Sequence, residues 1–151
     1  MLQLARPEDR IAVNSLAQQV HSLHVQWRPD IYKAENSLWP LERFDSAIAE
    51  RRLFCEKTDD RVVGYVLVKV RNYDLTGHVK RNVLIVDEIC VDESLRGQGI
   101  GTGMMTAVHA IARALGCTDL QLGVYPQNDD AIAFYQKCGF RIRSIDMQMK
   151  V

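Results

Sequence analysis

Residues 87–105 read DEICVDESLRGQGIGTGMM, and the reading of this stretch decides the fold. Its left flank completes Val83–Val91 (VLIVDEICV), an apolar segment broken only by Asp87 and Glu88, which is the pattern of a strand buried on both faces. Its right flank opens an amphipathic helix near Ile100. There Ile100, Met104, Val108, Ile111 and Leu115 share one face, and Gly116 is placed to end it. Between the two lie glycines at 97, 99, 101 and 103. Glycine lets the chain curl so that successive N–H groups point into one concavity, and a helix N-terminus adds its positive dipole. Such a junction is a cradle for phosphate or pyrophosphate. No Gly-Lys-Ser/Thr follows, so it is not a Walker A loop, and no register of RGQGIGTG fits G-x-G-x-x-G. A plain strand–helix turn is the alternative; the position straight after a central strand, with Arg96 in the loop, favours the cradle.

Upstream, Met1–Arg6 alternates as an edge strand, and Pro7 opens a helix with Val13, Leu16, Ala17, Val20 and His24 at helical spacing. HVQWRPDIYK is irregular, because Pro29 pushes Arg28 out of helical geometry. A second helix is predicted over Leu41–Arg52. Leu53–Lys57 and Val62–Val70 form a hairpin around Thr58-Asp59-Asp60, followed by a polar loop at Asn72–His78. Downstream, Leu120–Val124 is a strand, Asp129–Lys137 a helix ended by Gly139, and Arg141–Val151 alternates imperfectly as a last strand. The order βααβββαβαβ predicts a single α/β domain over residues 1–151, one mixed sheet with helices on both sides.

Composition agrees. The 151 residues are one domain's worth, 47% hydrophobic and 25% charged, with 19 basic and 19 acidic side chains. That balance gives no bulk attraction to nucleic acid or to an anionic membrane. No apolar run is long enough to span a bilayer, and MLQLARPEDR lacks the apolar core of a secretory leader, so a cytoplasmic protein is expected. The four cysteines (Cys55, Cys90, Cys117, Cys138) form no CxxC pair and no finger spacing, which argues against a disulfide framework or structural zinc. No metal site is expected.

Arg96-Gly97-Gln98-Gly99-Ile100-Gly101 matches R/Q-x-x-G-x-G/A, and Asn128 to Phe140 (NDDAIAFYQKCGF) fits N-x-x-A-x-x-F-Y-x-K-x-G-F. In these two segments the chain resembles the GNAT superfamily of acetyl-CoA-dependent N-acetyltransferases. The resemblance implies the GNAT-like acyl-CoA N-acyltransferase fold, with a splayed mixed sheet flanked by helices, and acetyl-CoA as cosubstrate. It implies that the amides of Arg96, Gly97, Gln98, Gly99, Ile100, Gly101 and Thr102 hold the coenzyme A pyrophosphate. Ile89, Cys90 and Val91 would lie along the pantetheine arm. It also implies Glu88 as general base, directly or through water, and Tyr135 as the acid that protonates the departing thiolate.

The chemistry stands beside the resemblance. Direct transfer from a thioester to an amine needs no enzyme nucleophile, so the absence of a Ser-His-Asp or Cys-His pattern is no objection. A glutamate among Ile85, Val86, Ile89 and Val91 is expected to be desolvated, which suits base work near neutral pH. Pairing with a nearby Arg or Lys is its plainer alternative. Tyr135 either packs within the stripe Ala131, Phe134, Tyr135, Cys138 or also reaches the thioester. Asn128 caps the last helix or touches pantetheine, and capping is favoured. Cys90 and Cys138 read as small buried hydrophobes. His24, Trp27 and Arg28 are candidate acceptor contacts: an Arg beside two His suits a carboxylate or phosphate, and Trp27 or Tyr32 suits an aliphatic amine. The packing alternative is that His24 completes the core stripe of its helix and Trp27 plugs the domain. The acceptor is left open between a small-molecule and a protein amine, as is a homodimer. Rival readings are a non-catalytic coenzyme A sensor and a generic nucleotide-binding module, the latter disfavoured by the missing Walker lysine.

Overall fold

A computed structural model describes residues 1–151. Strands β1 (Leu2–Leu4), β2 (Leu53–Thr58), β3 (Arg61–Tyr73), β4 (Arg81–Val91) and β5 (Asp119–Leu122) form one five-stranded sheet in the order β1-β2-β3-β4-β5. Every pairing is antiparallel except β4 with β5, which is parallel and is bridged by helix α3 (Ile100–Ala114). Helices α1 (Arg10–Trp27), α2 (Leu41–Ala49) and α4 (Asp129–Lys137) complete the chain.

Strand alternation divides the core between the two faces of the sheet. Tyr65 and Leu67 pack with Val13, Leu16 and Phe44 from α1 and α2. Val66 and Val68, their neighbours on β3, pack with Met104, Val108 and Ala112 of α3. No helix is long and apolar enough to cross a membrane.

Local signals placed several boundaries. Asp59 and Asp60 both take positive φ, 48° and 62°, the geometry of a two-residue hairpin turn that Asp tolerates. Gly116 (φ 69°) and Gly139 (φ 95°) close α3 and α4 in the same way. The Cys117 N–H donates to Ala112 O and the Phe140 N–H to Tyr135 O, each at the doubly bonded end that glycine permits.

Four expectations are corrected. Pro7 starts a 3-10 turn, Pro7–Asp9, and the α-helix proper begins at Arg10. Helix α2 stops at Ala49, because Arg51 turns into the left-handed region (φ 56°). On α3 the buried stripe runs through Met104, Val108 and Ala112, so Leu115, 54% exposed, lies off it. Arg141–Val151 forms no strand, and none of its groups enters a backbone hydrogen bond. Gln148 and Lys150 instead reach Arg28 and Asp30.

Candidate active site

The site begins with an irregularity in β4. Leu67 pairs with Glu88 and the next residue, Val68, pairs with Val86, so Asp87 is an extra residue on its strand. This bulge reverses the side-chain parity of β4. Leu84 and Val86 face the α3 cluster, whereas Glu88 and Cys90, also even-numbered, face α1 and α2. In an unbroken strand Glu88 would have joined Leu84 and Val86 against α3. Asp87 is taken up by Lys69, 2.7 Å away, so the two acids do not share a task.

Glu88 is only partly withdrawn from water, where the sequence led us to expect burial. Its side chain is 32% exposed, one oxygen is engaged by the Arg43 guanidinium of α2, and the other accepts from the Tyr65 hydroxyl at 2.9 Å. Arg43 is itself positioned, stacking 3.8 Å from the Trp39 ring centre and donating to Leu38 O at 2.7 Å. Burial and the neighbouring Glu88 charge push the Tyr65 phenol far up, so it stays protonated and can only donate to the carboxylate.

Beside Glu88 stands an aromatic wall. The His24 ring lies 5.0 Å from Tyr32, 5.5 Å from Tyr125 and 5.9 Å from Trp27, centre to centre, and the two tyrosine hydroxyls bond each other at 2.8 Å. Burial and His21 lower the His24 pKa while Glu88 opposes them, which puts His24 within electrostatic reach of the carboxylate. His24 is half-buried and belongs to this wall rather than to the core stripe of α1. The tryptophan that plugs the core is Trp39, fully buried against Phe44 and Tyr65; Trp27 is only partly covered. Arg28 is corrected as an anion receptor. Its fork is closed on Asp30 by two 2.9 Å bonds and also donates to Gln148. Its type and position suited an anion, but a local carboxylate two residues on takes the guanidinium first.

The glycine junction has the form of an anion cradle. Gly97 and Gly99 take φ of 78° and 84°, and a Cβ at either would meet nothing within 4 Å, so the loop opens onto free space. The first internal bond at the start of α3 is Gly103 N–H to Gly99 O, which leaves the amides of residues 97–102 without backbone partners. Six free donors at a helix N-terminus suit a pyrophosphate. The Arg96 Nε–H donates to Val91 O at 3.1 Å and ties the loop to the end of β4. Gly101 differs from its neighbours, because a Cβ there would lie 3.2 Å from Phe134 of α4, so its small size also serves packing.

Tyr135 packs against Phe134 and Phe140 at 5.3 and 5.8 Å, and its hydroxyl is not among the sealed, unpaired polar atoms. Burial, helped by Cys138 and Cys90, pushes its phenol up to about 12, so it carries a proton at neutral pH. Asn128 caps α4, accepting from the Ala131 N–H at 3.2 Å. Burial likewise raises the Cys90 thiol to about 11, and its Sγ donates to Leu16 O, which fits a packing residue.

A family model, the acetyltransferase (GNAT) family, matches residues 18–140 of this chain. The chain belongs to the GNAT acetyltransferase family. This GNAT chain is 26% identical over 98 residues to a glucosamine 6-phosphate N-acetyltransferase of Trypanosoma brucei brucei, covering 65% of this chain and 63% of that protein. It is 35% identical over 96 residues to a peptidyl-lysine N-acetyltransferase, YjaB, of Salmonella typhimurium, covering 63% of this chain and 54% of that one. The chain thus spans about half to two thirds of the length of these two relatives. Among solved structures, a mutant of the BH1408 protein of Bacillus halodurans superposes with a TM-score of 0.95 at 26% identity, over 100% of this chain and 99% of that one. An aminoglycoside N-acetyltransferase in complex with CoA shares the fold at a TM-score of 0.66 and 15% identity, with full coverage of both chains.

Reading the sequence as a GNAT protein did not find Arg43, Tyr65, Tyr125 or Gly64. Arg43 and Tyr65 are 45 and 23 positions from the carboxylate they hold, and no local pattern links them. Gly64 carried a readable signal, an isolated glycine inside a β-branched strand. A Cβ there would sit 2.8 Å from Cys90 O and 2.9 Å from the Met104 sulfur, so the glycine lets β3, β4 and α3 meet beside the site.

Proposed function

We propose that residues 1–151 act as one acetyltransferase domain that moves the acetyl group of acetyl-CoA to a primary amine by direct attack. The observation that carries this reading is the row of free amides at 97–102, at the end of the strand that bears Glu88. Arg96, Gly97, Gln98, Gly99, Ile100, Gly101 and Thr102 hold the pyrophosphate, while Ile89, Cys90 and Val91 border the pantetheine arm, with Asn128 capping the helix opposite. Acetyl-CoA supplies the activated acyl group. Glu88 receives the proton of the incoming ammonium, directly or through water, as the new C–N bond forms. Tyr135 gives its proton to the thiolate sulfur as the C–S bond breaks. His24, Trp27, Tyr32 and Tyr125 provide a face on which an aliphatic or sugar amine can lie.

A second reading, a coenzyme A sensor without catalysis, draws on one observation: Arg43 already occupies the Glu88 carboxylate. The side chains of that pair are 39% and 32% exposed, and exposed pairs are worth only about 0.2–1 kcal/mol, so a bound ammonium can displace the guanidinium. Release of free thiol from acetyl-CoA separates the two readings. The acceptor panel is glucosamine 6-phosphate, an aminoglycoside and a lysine peptide, chosen from the relatives. Coenzyme A at a hundredfold over its Kd should stabilise the fold by about 2.7 kcal/mol under either reading. Thiol release with one amine supports the enzyme, whereas binding with no release from any amine supports the sensor. A missing thermal shift overturns both.

A further inference from the structure

Among the cations near Glu88, Arg43 alone depends on Glu88 for its counter-ion. Arg28 is closed on Asp30 and Lys69 on Asp87, acids that the acetyl transfer does not use. Arg43 makes its one salt bridge with Glu88, the group proposed to take the acceptor's proton. Its other contacts involve no charged partner. Nη1 donates to Leu38 O at 2.7 Å, and the guanidinium lies 3.8 Å from the ring centre of Trp39, which is fully buried. These two contacts keep the guanidinium beside the site whether or not Glu88 is available to it. The second Glu88 oxygen accepts from the Tyr65 hydroxyl, so both oxygens are engaged before any acceptor enters.

An amine that enters as its ammonium competes for the oxygen that Arg43 holds. A plain alkylammonium exchanges one cation for another there and leaves the guanidinium without a counter-ion. An amine with its own carboxylate or phosphate behaves differently. Its ammonium pairs with Glu88, its anion takes the N–H that Glu88 has released, and one ion pair becomes two. The planar guanidinium offers forked donors that suit either anion. We infer that Arg43 determines acceptor specificity, and that the acceptor is a primary amine bearing a carboxylate or phosphate. Because Arg43 and Glu88 touch, the two ends are held side by side, and the anion stands only a few bonds from the amine. The anion receptor thus comes from α2 and not from Arg28 at the end of α1, whose fork is already filled. The inference rests on the acetyltransferase reading for the role of Glu88.

The test compares matched amines, β-alanine with propylamine and O-phosphoethanolamine with ethanolamine, by two readouts. Calorimetry measures binding of each amine to the coenzyme A complex, and thiol release from acetyl-CoA gives kcat/KM. In the parent at least one anionic member should bind and react about tenfold better than its neutral partner. Which pair shows the preference identifies the anion as carboxylate or phosphate. In Arg43→Gln that ratio should fall to about one, and Arg43→Lys, which keeps the charge, should restore part of it. The fold of each variant is checked by its thermal shift with coenzyme A. A parent ratio near one in both pairs overturns the inference, as does a Lys variant with no more preference than the Gln variant. If Arg43 merely positioned Glu88, both members of a pair would weaken alike and the ratio would survive Arg43→Gln, which also overturns it. Thiol release with a ratio near one leaves the acetyltransferase reading standing. Arg43-dependent binding of an anionic amine without thiol release supports the inference while that reading fails, and no binding by any amine overturns the inference.

Discussion

Glu88→Gln separates catalysis from structure, because the surroundings of Glu88 tolerate the amide. The Gln carbonyl can keep accepting from the Tyr65 O–H while its NH2 takes the place beside Arg43, whose 39% exposed side chain can turn to water, so no buried polar group is orphaned. What is lost is an ion pair whose side chains are 39% and 32% exposed, worth about 0.2–1 kcal/mol after solvent screening. For a chain of this size that lowers Tm by at most about 4 °C. An amide cannot take a proton, and loss of a general base costs about 10²–10⁴ in rate, or about 2.7–5.5 kcal/mol of barrier. The kinetic effect therefore exceeds the structural one severalfold. Turnover is read as thiol release at saturating acetyl-CoA with the amine found in the acceptor screen, stability by thermal melt, and coenzyme A affinity by calorimetry. We expect a collapse in kcat with Kd for coenzyme A unchanged. Parent-like turnover with the same pH profile would refute Glu88 as base, and a large fall in Tm or cofactor affinity would show that it is structural.

Tyr135→Phe keeps the ring contacts with Phe134 and Phe140, so Tm and coenzyme A affinity should hold while kcat drops about 10²-fold; an unchanged kcat assigns the sulfur's proton to water. Gly64→Ala forces a methyl to within 2.8 Å of Cys90 O, a backbone atom that cannot step aside, and should cost about 1–3 kcal/mol, a Tm fall of about 2–12 °C. A melt within 1 °C of the parent, taken as roughly the resolution of the comparison, would contradict that close approach. His24 has its pKa lowered from 6.5 in the folded state, so the unfolded chain binds its proton more readily. Its contribution is complete above pH 6.5 and is lost as pH falls towards the folded value. Denaturant titrations at pH 7.5 and 5.5 should show a smaller acid loss in His24→Gln than in the parent, and equal losses would remove His24 from the account.

Where an element depends on residues a few positions apart, its chemistry is legible in the sequence. The Asp59-Asp60 turn, the Asn128 cap, the glycines that close α3 and α4 and the open amides after Arg96 all rest on conformational preferences of one to four residues. Tertiary pairing decided the rest. Glu88 faces α1 and α2 because β4 gains Asp87 as an extra residue against β3, and a one-residue shift of register turns every later side chain to the other face. Arg43 reaches Glu88 only because α2 packs over that face, Trp39 rather than Trp27 fills the core for the same reason, and Arg28 is spent on Asp30. The alternating residues 144–151 are the limiting case. Their pattern encodes a strand, but a strand exists only where a neighbour offers its hydrogen bonds, and the backbone of this tail makes none.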